Sequence, residues 1–352
     1  MMEIIDRVIS RIEAPDDRAR KAAQERQDRL TKPRGSLGYL ETLSVRIAGI
    51  CGRPNPRIGK GAVFVMAADH GVCAEGISAY PQEVTPQMVM NFVSGGAAIN
   101  AIAAASACRV VVADVGVASE LPAGASIHRR KVALGTQNLA RGPAMTLAQA
   151  EESVAAGMEI FEAELAREGF DIAATGDMGI GNTTSACAVA SVLLRKDPSE
   201  LAGRGTGIDD ETLSRKVGLI RRAIALHAPR ADDPWGTLTA LGGFEIGALA
   251  GVILASAARR IPLVVDGYIS GAAALLAKAL CPASAEYMIA GHLSADSGHG
   301  AMLADLGLEP LLNLGMRLGE GTGAALAIPL CRTACRVLND MATFESAGVS
   351  EK

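Results

Sequence analysis

A short apolar segment that ends in polar residues or glycine recurs along this 352-residue chain and constrains its fold. Each copy has the length of a β-strand, and its unbroken apolar character is typical of a strand buried on both faces of a parallel sheet. Helix-length segments separate the copies, and this alternation predicts an α/β fold with a mostly parallel sheet. The predicted strands are residues 62–71, 109–116, 171–182, 262–271 and 286–294.

The two ends of the chain differ from this alternating part. Residues 1–55 are polar and helical in pattern, and they end in a turn-forming Gly/Pro-rich stretch. We expect them to pack with residues 325–352 as a small helical subdomain, beside an α/β core of residues 56–324 that carries the active site. Predicted helices elsewhere are residues 85–106, 145–168, 183–194, 211–228, 245–259, 268–280 and 320–342.

Polar side chains stand where the predicted strands end. In open α/β sheets, ligands bind beyond the carboxyl ends of the strands, so these side chains should cluster in space. For Asp69 and His70 two interpretations remain open: they line a site, or they hydrogen-bond neighbouring loops. The strand-end residues are Asp69, His70, Asp114, Asp177, Asp266 and His292.

Composition excludes several classes of function. The net charge of -4 and a pI of about 5.8 leave no basic surplus for nucleic-acid binding. The N-terminus has no signal-peptide pattern, and the longest apolar run, residues 246–258, is too short for a membrane span of about 20 residues. The seven cysteines are scattered and show no metal-ligand spacing with histidine. We therefore expect a cytoplasmic protein with reduced thiols and no metal site.

Two glycine-rich loops open predicted helices, at residues 176–186 and 203–210. Glycines let the backbone approach a ligand, and the N–H groups of a helix start favour an anion. Together with a lysine on the second helix, they indicate a site for one phosphate monoester. The alternative is that both loops are tight turns with glycine at positive φ. The candidate nucleotide-binding residues are Gly176, Gly179, Gly181, Asn182, Thr183, Gly203, Gly205 and Lys216.

Glu320 stands between glycines at the start of an apolar helix, in the segment RLGEGTG. A carboxylate in a small dry pocket is suited to accept a proton from a substrate nitrogen. A carboxylate at a helix N-terminus is also a common cap. The motif by itself leaves both interpretations open.

Several segments taken together resemble one enzyme family over nearly the whole chain. They include TKPRGSLG (31–38), AADHGV (67–72), GDMGIGNTT (176–184), VVDGYISGAAAL (264–275) and MRLGEGTGAALA (316–327). In these segments the chain is similar to the nicotinate-nucleotide–dimethylbenzimidazole phosphoribosyltransferases of cobalamin synthesis. The resemblance implies a three-layer, Rossmann-like α/β core with helices on both faces, a smaller helical domain from both chain ends, and a homodimer.

The resemblance also implies a reaction. Nicotinate mononucleotide and 5,6-dimethylbenzimidazole would give α-ribazole 5′-phosphate and nicotinate, with no metal and no organic cofactor. Glu320 would be the catalytic base, and Asp266 would stabilise positive charge on the ribose. The two glycine loops with Lys216 would hold the phosphate.

Two departures from the family pattern bear on the site. Asp177, also a candidate catalytic residue, stands where some members carry the longer glutamate. Tyr80 and Met88 stand where other members have serine and glutamine, so the pocket for the base is expected to be more apolar. With Leu318 they are the candidate base-binding residues, and the preferred base is left open.

Two other functions compete with this interpretation. One is a different ribosyl-transferring enzyme, such as a nucleoside phosphorylase. The other is a non-catalytic protein that binds a benzimidazole or a nucleotide and has no need of Glu320.

Overall fold

A single parallel β-sheet organises the structure, a computed structural model that describes residues 1–205 and 207–350. Thr206, in the second predicted phosphate loop, and residues 351–352, at the end of the predicted subdomain, lie outside the described residues. The strands are β1 (Gly61–Ala68), β2 (Cys108–Gly116), β3 (His128–Arg129), β4 (Ile172–Met178), β5 (Leu263–Val265), β6 (Met288–His292) and β7 (Pro310–Leu312). All pairings are parallel, in the order β3-β2-β1-β4-β5-β6-β7.

Helices cover both faces of this sheet. They are α1 (Met2–Ile9), α2 (Asp17–Gln27), α3 (Tyr39–Cys51), α4 (Val84–Val93), α5 (Ala98–Ala105), α6 (Leu147–Glu168), α7 (Asn182–Leu194), α8 (Pro198–Leu201), α9 (Asp210–His227), α10 (Pro234–Leu241), α11 (Phe244–Ala258), α12 (Tyr268–Leu280), α13 (His299–Leu306), α14 (Thr322–Asp340) and α15 (Phe344–Ala347).

Strand β1 shows how the layers form, because consecutive strand residues point to opposite faces of a sheet. Phe64 and Met66 belong to one apolar cluster, with residues of α6, α7, α11 and α12. Val63 and Val65 belong to a second cluster, with residues of α3, α5 and α14. The predicted three-layer α/β fold with a parallel sheet is therefore confirmed.

One predicted helix, residues 85–106, was wrong as a single element. The structure divides it into α4 and α5, and the intervening Gly95 has a φ of +78°. The apolar stretch Val84–Ala105 has the length and hydropathy of a membrane span. The break leaves helices of 10 and 8 residues, and each is shorter than the roughly 20 residues that a span needs.

Helices from both chain ends pack together, as the sequence pattern predicts. Ala23 of α2, Ala48 of α3 and Leu338 of α14 form a small apolar cluster. The first half of α14 also covers the sheet, because Ala324 and Ile328 belong to the same cluster as Val63. The exact division of the chain into a subdomain and a core stays a prediction.

A very close helix contact lies between α6 and α11, which cover one face of the sheet. A Cβ atom on Gly157 would lie 1.8 Å from the carbonyl oxygen of Ala248, and one on Gly251 would lie 2.0 Å from that of Val154. Both neighbours are backbone atoms, so they cannot move aside as a flexible side chain would. These glycines are therefore required by the helix packing.

We predict that Gly157→Ala lowers the free energy of unfolding by about 1–3 kcal/mol, because the added methyl group forces the two helices apart. Gly218→Ala is the matched control, since a Cβ there meets only the far end of Arg222. This control should gain about 1 kcal/mol from the better helix former. Denaturant unfolding of the two variants checks both signs, and equal effects would contradict the packing argument.

Candidate active site

A cleft of about 640 Å³ opens at the carboxyl edge of the sheet. The strand order reverses between β1 and β4, and parallel sheets bind ligands where the order reverses. The loop after β4 forms one side of the cleft, and the start of α12 and the end of β6 form the floor. Its lining includes Tyr80, Met88, Asp177, Asn182, Thr183, Gly267, His292, Ser294, Asp296, Arg317, Leu318 and Glu320.

The glycines at the end of β4 and in the loop that follows it allow close backbone contacts. A Cβ on Gly176 would lie 2.6 Å from the carbonyl oxygen of Glu320, and one on Gly179 would lie 2.2 Å from that of Ala68. Gly181 has a φ of +92° and begins α7. The close contacts and the positive φ therefore require glycine at these three positions, whether or not the loop binds a ligand.

Lys216 lies beside this loop, at a small cavity of about 40 Å³ that adjoins the main cleft. Its Nζ donates to Thr183 Oγ1 at 2.8 Å and to the carbonyl oxygen of Gly203 at 3.5 Å. The side chain is buried, and burial lowers its pKa. The charges of Cys187 and Asp296 act in the opposite direction, but no carboxylate in the described part of the chain lies within salt-bridge distance of the ammonium group. A buried ammonium group without a direct ion pair favours an anionic ligand.

The second predicted loop closes this cavity from the other side. Gly205 lines it together with Arg204, and the N–H of Gly205 donates to Asp296 Oδ1 at 3.2 Å. A Cβ on Gly203 would lie 2.2 Å from the same oxygen. The structure therefore brings the two predicted loops and Lys216 together around one cavity.

Part of the cleft lining is apolar. Val84 and Met88 of α4 belong to it, and so do Tyr80 and Leu318, each about half exposed. All three predicted base-binding residues therefore line the cleft. This apolar wall suits a flat, mostly apolar ring.

Glu320 lies in the cleft in an unusual backbone conformation. It has a φ of +63°, between Gly319 at +83° and Gly321 at +89°. Its Oε2 accepts a hydrogen bond from the backbone N–H of Ile99, in the first turn of α5, at 3.2 Å. The carboxylate therefore caps α5 in part, but it does not cap α14, the helix that it precedes.

Burial is the main cause that raises the pKa of Glu320, and the nearby charge of Asp266 adds to it. The hydrogen bond from Ile99 acts in the opposite direction. A carboxylate with a raised pKa is a stronger base once it is ionised. The site thus presents a basic carboxylate with Oε2 already engaged by the protein.

Asp177 reaches the same cleft from the end of β4. Its Oδ2 accepts from the side-chain amide of Asn182 at 2.9 Å. Burial, and next the charges of Asp266 and Glu245, raise the pKa of Asp177 well above its ordinary value. This environment favours the protonated acid, a hydrogen-bond donor, over a second base.

The other strand-end residues divide into two groups. His292 lines the cleft, whereas Asp69, His70, Asp114 and the fully buried Asp266 do not. Asp69 Oδ2 accepts from the N–H of Ala118 at 2.8 Å, so the structure supports the loop-holding interpretation for Asp69. His70 Nε2 lies 2.8 Å from Oε1 of Glu245, in the first turn of α11, so His70 contacts a helix and neither lines the cleft nor holds a loop through this contact.

Sequence reasoning missed several residues of the cleft. Ser294 and Asp296 follow β6, so the rule that found His292 would have found them too. Arg317, whose Nε donates to the carbonyl oxygen of Gly205 at 3.2 Å, carries no motif of its own. The contact of Glu320 with Ile99 joins segments 221 residues apart and has no local signal.

Comparison with known proteins identifies the family. A family model described as a phosphoribosyltransferase matches residues 12–349. The nicotinate-nucleotide–dimethylbenzimidazole phosphoribosyltransferase of Desulforudis audaxviator is 56% identical over 350 residues, 99% of each chain, and that of Chloroflexus aurantiacus is 54% identical over all of both chains. The crystal structure of the Thermus thermophilus enzyme matches with a TM-score of 0.91 and 49% identity, over 96% of this chain and 100% of the other.

The chain belongs to the nicotinate-nucleotide–dimethylbenzimidazole phosphoribosyltransferase family. It is therefore an enzyme that transfers a phosphoribosyl group. Such an enzyme must hold a phosphate, a ribose and an acceptor in one site.

We predict that Lys216→Met weakens the binding of ribose 5-phosphate by about 1.5–3 kcal/mol, the value of a hydrogen bond to a charged group. Lys278→Met is the control, because that lysine pairs with Asp305 and does not line the cleft. Titration calorimetry measures both variants. Unchanged affinity in Lys216→Met would remove this lysine from the phosphate site.

Proposed function

We propose that this enzyme transfers the phosphoribosyl group of nicotinate mononucleotide to 5,6-dimethylbenzimidazole, giving α-ribazole 5′-phosphate and nicotinate for cobalamin biosynthesis. One observation carries the proposal: Glu320, a buried carboxylate of raised pKa, lies in the same cleft as an anion cavity and an apolar wall. The names of the full-length relatives support the choice of substrates.

The nucleotide would bind with its 5′-phosphate at Lys216. The hydroxyl of Thr183 and the backbone of the loop after β4 supply further donors there. The ribose then lies over the start of α12, near Gly267 and Ser294, with its C1 facing Glu320.

The acceptor base would bind against the apolar wall formed by Tyr80, Met88 and Leu318. Methionine adapts to several ring shapes, so this wall accepts a range of benzimidazoles. Placing both substrates in one pocket makes the reaction effectively unimolecular, which lowers the barrier substantially.

The chemistry is a displacement at the ribose C1. One benzimidazole nitrogen attacks C1 while the bond from C1 to the nicotinate nitrogen breaks, and the bonding electrons return to the pyridine ring. The second benzimidazole nitrogen loses its proton to Glu320, through the oxygen that Ile99 leaves free. Inversion at C1 gives the α-anomer. The step changes no oxidation state and therefore requires no redox cofactor.

Asp177 would serve this reaction in its protonated form. Its pKa is raised well above the ordinary value, so it donates a hydrogen bond to a bound substrate more readily than it accepts a proton. Glu320 then remains the base, although the two carboxyl groups share one cleft.

Glu320→Gln keeps the shape of the side chain and removes the base, so we expect product formation in a single turnover to slow about 10²–10⁴-fold. Binding of both substrates should survive, because the neutral amide leaves the cavity at Lys216 intact. Glu120→Gln, at an exposed loop position, is the control and should react like the parent. A rate near that of the parent in Glu320→Gln would show that Glu320 is a structural cap.

We further propose that the enzyme is a cytoplasmic homodimer. All seven cysteines are unpaired, which fits a reducing compartment. Part of the apolar surface of α4 and α5 is uncovered: Ala98, Ala101 and Ala104 are exposed, whereas Phe92 and Ile99 are buried. Apolar helix surface of this kind marks a protein interface.

Sedimentation velocity should give twice the chain mass of 36.2 kDa. Ala101→Asp places a charge on the proposed contact and should return the protein to 36.2 kDa. A parent that sediments as a single chain would contradict the dimer, and a dimer that Ala101→Asp leaves intact would move its contact away from α5.

A further inference from the structure

Asp266 is fully buried just after β5, and both of its carboxylate oxygens are engaged by one helix start. Oδ1 accepts from the backbone N–H of Ala324 at 2.9 Å, and Oδ2 accepts from that of Gly321 at 3.2 Å. Helix α14 has no side-chain cap from its own N-cap residue. A carboxylate from a distant strand therefore satisfies the N–H groups that α14 leaves free.

The turn that Asp266 holds is a strained one. Gly319, Glu320 and Gly321 all have positive φ, and Glu320 carries a Cβ atom, for which this conformation costs on the order of 1 kcal/mol or more. Such a conformation persists only when its surroundings hold it. Several hydrogen bonds do so: the N–H groups of Gly321 and Ala324 donate to Asp266, and the N–H of Glu320 donates to the carbonyl oxygen of Asp177 at 3.3 Å. The N–H and hydroxyl of Thr322 also donate to the carbonyl oxygen of Gly319, at 3.1 and 2.8 Å.

The position of Asp266 has an electrostatic consequence too. Its negative charge raises the pKa of Glu320, in the same direction as burial. The other titratable groups that face this region are Asp177 at the end of β4 and His292 of β6, whose Nε2 lies 3.8 Å from Asp266 Oδ1. Burial raises the pKa of Asp266, whereas the charge of His292 and the N–H bonds from Ala324 and Gly321 act in the opposite direction and stabilise its ionised form.

We infer that Asp266 is a positioning residue that acts through Glu320: it fixes the turn that carries the base and strengthens the base by its charge. This inference rests on the proposed role of Glu320. It differs from the role that the family resemblance implies, in which Asp266 stabilises positive charge on the ribose directly. The two roles predict different pH profiles.

Asp266→Asn is the decisive variant, because it keeps the size of the side chain and removes its charge. The amide oxygen still accepts one N–H bond from the start of α14, whereas the NH2 group cannot accept the other. With the charge gone and the turn loosened, we expect kcat to fall about 10–100-fold. A base works only when deprotonated, so activity is lost as pH falls through the pKa of Glu320. Removing a neighbouring negative charge lowers that pKa. The acid limb of the profile of kcat against pH should therefore move to lower pH by about one unit.

Asp114→Asn is the matched control. Asp114 is also buried near a strand end, and its Oδ1 accepts from the backbone N–H groups of Gly116 and Val117, but it does not line the cleft. The Asp114→Asn variant should leave both kcat and the acid limb near those of the parent.

Thr175→Val gives a second test, because it removes the acceptor of the Asp266 N–H but keeps the charge of Asp266. We expect kcat to fall there without a shift of the limb.

The outcomes separate the alternatives. A drop in kcat in Asp266→Asn that is equal at every pH, with the acid limb unmoved, overturns the inference and supports direct action on the ribose. Effects no larger than those of Asp114→Asn overturn it in favour of a structural role alone. A failure of the proposed function itself would appear in other experiments: the parent enzyme would make no product, or Glu320→Gln would react at the parental rate.

Discussion

Crowding of buried carboxyl groups at the carboxyl edge of the sheet is the constraint on which the site depends. Burial and the charge of Asp266 both raise the pKa of Asp177 and the pKa of Glu320. Each of the three carboxyl groups accepts hydrogen bonds from a different donor: the amide of Asn182 for Asp177, the first turn of α14 for Asp266, and the first turn of α5 for Glu320. In the proposed reaction Asp177 is the protonated acid, Asp266 is a fixed charge and Glu320 is the base.

The parallel sheet makes this arrangement possible. Strands β4, β5 and β6 all end at the same edge, so side chains that follow them meet although they are far apart in the sequence. Glu320, the proposed base, does not belong to the sheet but to a loop with a strained backbone. Asp266 follows β5 and accepts a hydrogen bond from this loop, so it links the loop to the sheet.

The sequence predicted the layers of the fold and part of the cleft lining, because strand ends and glycine loops leave local patterns. It failed at Gly95, because the apolar run that this glycine interrupts has the pattern of one helix. It also missed β3 and β7, whose two and three residues are too short for a pattern. The hydrogen bond between the N–H of Gly321 and Asp266 could not be predicted from the sequence either. That contact joins residues 55 positions apart and depends on the packing of α14 against the sheet.

The configuration of the product tests most directly the placement of a phosphate cavity, an apolar wall and Glu320 in one cleft. The parent enzyme would be mixed with nicotinate mononucleotide and 5,6-dimethylbenzimidazole, and the product examined by proton NMR and mass spectrometry. In-line attack within this cleft predicts α-ribazole 5′-phosphate, with one nicotinate released for each product molecule. A β-configured product, or a nucleotide that stays intact while both compounds are bound, would contradict it.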